Sequence, residues 1–278
     1  MIETVRRSLG RQTRRLIAGQ GEPSVVPTRA DDHGLFGPDS ATWIVHRDTA
    51  MLIGGVRSLL LQTLHPLAMA GVADHSDYRA DPLGRLHRTA SFLGRTVFGP
   101  TAVAEQALAQ VRAIHSRVEG LAPDGRAYRA DDPHLLGWVH ATEIESFLVA
   151  HRRYGATTLS TIDADRYVDE MARIGLALGM TDAPRSVADL DEVIRGYRRE
   201  LAATTQSRDA VRFLVFAPLP ILARAPYGVL LAAATGLLPG WSRRLLRLPI
   251  PPLADPLLIR PAATALVRTL GWALAPER

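Results

Sequence analysis

Apolar positions recur three and four residues apart along most of the chain, and the alternation expected of half-buried strands is almost missing. The pattern predicts an all-α fold. Asp39 and Ser40 can cap a helix through Trp43 and Ile44 toward Leu52, with a helical continuation over 51–64 past Gly54-Gly55 until His65-Pro66 breaks it. Asp81-Pro82 opens a helix over 81–99, since Pro suits the first turn and Asp the cap. The clearest helix spans 101–120, from Pro100 to Gly120, with Ala104, Leu108, Val111, His115 and Val118 on one face. Asp132-Pro133 starts the next, over 135–154 with Gly155 as its stop, and two more follow at 162–178 and 187–203.

Beyond Phe213 the chain turns strongly apolar, but Pro218, Pro220, Arg224 and Pro226 interrupt the run well short of the twenty or so residues a membrane span wants. Broken core helices are expected there, then a last helix over 256–273. No Ser/Gly-rich linker divides the 278 residues, so one body is expected: an N-terminal helix and irregular segment (1–39), a main domain (40–250) and a C-terminal helix packed on it (251–278). At the N-terminus Val5, Leu9, Leu16 and Ile17 fit a short Arg-rich amphipathic helix, either a surface helix packed on the domain or an interfacial membrane anchor. It lacks the continuous apolar core of a secretory signal, and a cytoplasmic protein with possible membrane association is expected.

Composition narrows the chemistry. There is no cysteine, which removes disulfides, thiolate metal sites and cysteine nucleophiles. All 33 basic residues are Arg, so Schiff-base and phosphate-loop lysines are excluded as well. The net charge of +5 is spread among acidic residues without a nucleic-acid motif, and no nucleic-acid partner is expected.

Among nine histidines, His115 sits on the apolar face of its helix. Burial there favours the neutral imidazole that ligates metals, although the same position suits a core histidine satisfied by one partner. Arg85, Arg88 and Thr89 lie three and four residues apart, so they share a face. That face suits an anion or a polar pocket, or else is an exposed basic surface. His140 and Glu143 offer only two ligands at one-turn spacing, too few for a zinc site, and the paired Glu-x-x-His motifs of di-iron bundles are missing.

The stretch GGVRSLLLQTLHPLAMAGVADHSDYRADPLGRLHRTASFLGRTVFG, followed by VRAIHSRVEG, YRADDPHLLGWVHATEIESFLVAHRRYG and LLPGWSRRLLRLP, resembles the catalytic domain shared by rubber oxygenases (latex-clearing proteins) and the fungal endoplasmic-reticulum oxygenase of mycophenolate biosynthesis. The resemblance covers roughly residues 40–250 and implies a globin-reminiscent helical domain around one non-covalent haem b. It implies His115 as the iron ligand, Arg88 and Thr89 as distal polar groups toward dioxygen, and Arg85 as a partner for a propionate. The family's distal Lys is Arg88 here, and a guanidinium is a very poor ligand because it stays protonated. The distal position would then be open, water-filled or taken by another residue such as His65. The family's distal Glu base has no counterpart around 65–75, where only Asp74 and Asp77 occur, so polyisoprene cleavage is not implied. The resemblance implies an oxygenase or peroxygenase using dioxygen or peroxide on an apolar small molecule. A non-catalytic haem carrier or sensor, and a cofactor-free helical binder of membrane surfaces, are the alternatives.

Overall fold

The computed structural model describes residues 2–18, 32–251 and 253–275. The expected irregular segment therefore lies outside the described residues as far as residue 31. From Asp32 onward it is anchored: the Asp32 carboxylate accepts from the Thr101 N–H and hydroxyl, the latter at 2.7 Å.

The expected all-α class holds. Thirteen α-helices and one two-stranded hairpin make up the described residues. In chain order the helices are α1 (Ile2–Ala18), α2 (Ala41–His46), α3 (Met51–Gln62), α4 (Pro66–His75), α5 (Pro82–Phe98), α6 (Thr101–His115), α7 (Pro133–Tyr154), α8 (Thr161–Leu178), α9 (Val187–Tyr197), α10 (Thr205–Val215), α11 (Ile221–Leu237), α12 (Gly240–Leu246) and α13 (Arg260–Leu274).

Caps set several starts as expected. Ser40, Asp81 and Asp132 each accept a backbone N–H from the first turn that follows. The helix expected from Asp39 to Leu52 is instead two, because Asp48 takes the Ala50 N–H at 2.8 Å and the Ala156 N–H at 2.7 Å and holds a turn between α2 and α3. The helix expected over 101–120 stops at His115. Its last residues become strand β1 (Glu119–Leu121), paired antiparallel with β2 (Ala127–Arg129) around a turn where Gly125 takes φ +84°.

Helix α7 is the centre of the body and is buried around most of its circumference. It packs most extensively on α3, where Gly54 allows the close approach: a Cβ there would lie 2.7 Å from the Phe147 ring. Beside this contact Arg57 is almost fully buried. It forms a bidentate pair with Glu145, one arm at 2.8 Å, and also donates to Ser146 Oγ and to the Leu237 carbonyl.

The apolar C-terminal third departs from expectation. Only the second half of α11 is core, with Ala233 and Ala234 buried against Ala263 and Val267 of α13; Phe216, Ile221 and Leu222 stand at 75%, 77% and 82% exposure. The run Asp255–Leu274 opens with a π-helical turn and, among the described residues, is one stretch long and apolar enough to cross a membrane. Helix α1 packs on α13 and α5, as the surface-helix reading expects. There Arg6 donates to the carbonyls of Trp272 and Ala275, satisfying acceptors that the end of α13 leaves open.

Candidate active site

A cavity lies where α5, α6, α7 and α8 meet. Its walls are Phe92, Leu93 and Thr96 of α5, His115 of α6, Leu136, Val139, His140 and Glu143 of α7, Met171, Ile174, Gly175 and Leu178 of α8, and Met180 beyond it. Counting its open mouth it encloses about 500 Å³ of space, but only about 60 Å³ of that admits the centre of a water-sized sphere, so it is a narrow cleft, smaller than a preformed small-molecule site. Helical period explains the α7 contribution, since positions 136, 139, 140 and 143 form one stripe.

Three titratable side chains, His115, His140 and Glu143, line this largely apolar space. His115 Nδ1 and His140 Nε2 are buried and have no hydrogen-bond partner. Burial lowers the pKa of His115, with Asp131 opposing, and pushes His140 down to about 4, so both rings are neutral at pH 7. Glu143 is pushed the other way, up to about 7, because burial disfavours its carboxylate. Gly175 keeps the wall of α8 thin at this point: a Cβ there would sit 3.2 Å from His140 Nε2.

The structure brings His115 together with His140 and Glu143, a convergence the sequence analysis did not foresee. Their one-turn spacing was visible, but the packing of α6 and α7 around a common space was not. Arg85, Arg88 and Thr89 are outside the cavity lining. Arg85 and Thr89 do continue the α5 face of Phe92 and Thr96 toward the helix start, because positions 85, 89, 92 and 96 repeat at helical period. Arg85 is turned inward onto Ser76 Oγ, and burial followed by the Arg88 charge lowers its pKa. Arg88 faces solvent with Asp81 at 3.3 Å, and Thr89 is exposed with its hydroxyl donated to the Arg85 carbonyl at 3.1 Å.

His65 is not brought to this cavity. It is the cap of α4, buried among Trp138, Tyr197 and His134, with Nδ1 accepting from the Ala68 N–H. Asp74 is engaged by the Tyr128 hydroxyl at 2.6 Å.

Residues 43–272 match the family described as ER-bound oxygenase mpaB/B'/rubber oxygenase, catalytic domain. The chain belongs to this family. All four walls of the cavity fall inside the matched region of this oxygenase domain, as do α3 and the Arg57–Glu145 pair that position α7. No curated protein and no solved structure matches the chain.

Proposed function

We propose that this oxygenase domain is haem-b-dependent, that His115 holds the iron, and that the cavity between α5, α6, α7 and α8 receives an apolar small molecule oxidised by dioxygen or peroxide. The observation that carries the reading is His115 Nδ1, buried without a hydrogen-bond partner on a neutral ring that lines an apolar cavity shared with His140 and Glu143. Leaving a buried ring nitrogen unsatisfied costs about 1–3 kcal/mol. A ligand that accepts those nitrogens removes that cost, and neutral imidazole is the form that binds iron. When bound, haem supplies the redox chemistry that activates the oxidant.

The chain's own residues would do the rest. Phe92, Leu93, Met171 and Ile174 exclude water and favour an apolar substrate. Glu143, poised near neutrality, can hold a proton at its carboxyl and give it up inside the cavity. His140 offers a neutral ring as hydrogen-bond partner, and Arg85 supplies a cation on the continuation of the α5 face for a propionate. Exposed Phe216, Ile221 and Leu222, with Arg212 and Arg224 also at the surface, support contact with a membrane surface through which an apolar substrate could arrive.

The test is titration of the full chain with haemin, comparing wild type and His115→Ala by absorption spectrum and haem content. Stoichiometric uptake lost in His115→Ala supports the assignment; equal uptake and identical spectra in both overturn it. Oxygen consumption by the loaded chain with apolar alkenes then tests the substrate class.

A further inference from the structure

At the start of α7, about three turns before Glu145, three side chains from separate elements converge. We infer that His65, His134 and Glu200 form a binding site for a divalent transition-metal ion, separate from the His115 cavity. One ligand atom from each lies within 4.8 Å of the other two. His134 Nε2 is 2.8 Å from Glu200 Oε2, and His65 Nε2 is 3.5 Å from the same oxygen.

These separations suit a shared ion. Ligands about 2.0–2.2 Å from a tetrahedral metal stand about 3.4 Å apart from one another. The His65–Glu200 distance already has that value, and the exposed His134 and Glu200 need to part by only about 0.6 Å to reach it. His65 is 1% exposed, and its Nε2 makes no hydrogen bond although it is aimed at the cluster. Two imidazoles and one carboxylate, with no thiolate, are the donor set of zinc and its neighbours among the divalent transition metals.

The surroundings hold the donors in place. His65 is fixed by the start of α4 and His134 by the start of α7, where Tyr197 stacks on its ring at 4.6 Å and donates to its carbonyl at 2.7 Å. Glu200 reaches the cluster because α9 stops at Tyr197, leaving a short connection before Thr204 caps α10. Burial keeps His65 neutral, and the nearby Arg126 charge is offset by its pair with Asp124 at 2.8 Å. His134 and Glu200 are exposed, so a fourth coordination position faces solvent, as in three-ligand sites that carry a water.

Proton accounting gives a second signature. An ion on His65 Nε2 places the ring proton on Nδ1, so the long Ala68 N–H contact of 3.4 Å is given up. Metal binding therefore loosens the first turn of α4, whereas an ion held by the exposed His134–Glu200 pair alone leaves it intact.

The experiment is calorimetric titration of the chelator-treated full chain with Zn²⁺, in wild type, His134→Ala, Glu200→Gln and His115→Ala, with hydrogen exchange at Ala68 followed alongside. The expected result is about one equivalent bound, affinity weakened at least about a hundredfold in the first two variants, unchanged affinity in His115→Ala, and faster Ala68 exchange on Zn²⁺ addition. Both substituted positions are exposed, so the fold is kept. No stoichiometric binding in wild type, affinity retained in His134→Ala and Glu200→Gln, or unaltered Ala68 exchange overturns the site; loss confined to His115→Ala assigns the ion to the cavity instead.

Discussion

Replacing Glu143 by Gln tests the cavity's electrostatics without any cofactor. In the folded chain burial lifts its carboxyl from the ordinary 4.5 to about 7. An acid whose folded pKa lies above its unfolded value holds a proton that the unfolded chain has already released. Its contribution is therefore harmless below about pH 4.5, falls as pH rises between 4.5 and 7, and is fully unfavourable above 7. At about 1.4 kcal/mol per pH unit the gap corresponds to about 3 kcal/mol. Glu143→Gln carries no charge at any pH, so it is expected to exceed wild type by about 1 kcal/mol at pH 5 and about 3 kcal/mol at pH 8. With an unfolding entropy of about 2.1 cal/mol/K per residue, the larger figure raises Tm by about 5 °C for a chain of this length. Urea and thermal unfolding of both proteins, stripped of any bound group so that ligand linkage does not intrude, measure it. Stability curves that run parallel from pH 5 to pH 8 would refute the buried carboxyl and with it the proton-holding role given to Glu143.

His115→Ala is expected to abolish stoichiometric haem uptake, while His140→Ala keeps the haem and shifts its absorption bands; spectra after haemin titration separate the two. Arg57→Met leaves Glu145 without its partner and is expected to cost about 3–5 kcal/mol in urea unfolding, whereas an unchanged midpoint would assign the pair no stabilising part. Arg88→Ala and Thr89→Ala are expected to keep stability within about 0.5 kcal/mol, since both side chains are exposed. Their haem content should equal wild type. Stopped-flow dioxygen release faster by about ten- to a hundredfold would identify either as a donor to the oxidant, by the worth of about 1.5–3 kcal/mol of a charged hydrogen bond, and wild-type rates would place both outside the reaction.

Local chemistry was legible in the sequence where a single residue decides it. Ser40, Asp81 and Asp132 cap helices because each carries an acceptor next to free N–H groups, and that needs no tertiary information. The hairpin after His115 also had a local sign, the Pro123-Asp124-Gly125 turn between Leu121 and Ala127, but the apolar period running into Val118 masked it. The end of α9 at Tyr197 was less visible, because the capping box of Thr204 and Ser207 that starts the next helix decides it from downstream. The candidate site was half legible. His115 followed from its helix face, whereas its partners depend on α7 crossing against α6 and α8, which is set by contacts such as Gly54 on Phe147 far from the cavity.

Helix α7 makes the case for a ligand sharper than any one residue does. A helix buried around most of its surface must satisfy its polar side chains internally, since water cannot. Along α7 this is done in part: Thr142 donates to the Trp138 carbonyl, Ser146 receives Arg57, and Glu145 takes the rest of that guanidinium. Elsewhere on the helix Trp138 Nε1, His140 Nε2, both ring nitrogens of His151 and the Tyr154 hydroxyl are buried without a partner. His140 Nε2 is left without a partner and Glu143 forms no ion pair among the described residues, and both lie on one stripe lining the cavity where His115 Nδ1 is also without a partner. What sets His140 apart from the other unsatisfied groups of α7 is that its free nitrogen and His115 Nδ1 line one cavity, with Glu143 beside them. A ligand seated in that cavity would complete both rings, and the dioxygen-release rates of Arg88→Ala and Thr89→Ala decide whether the exposed face of α5 takes part as well.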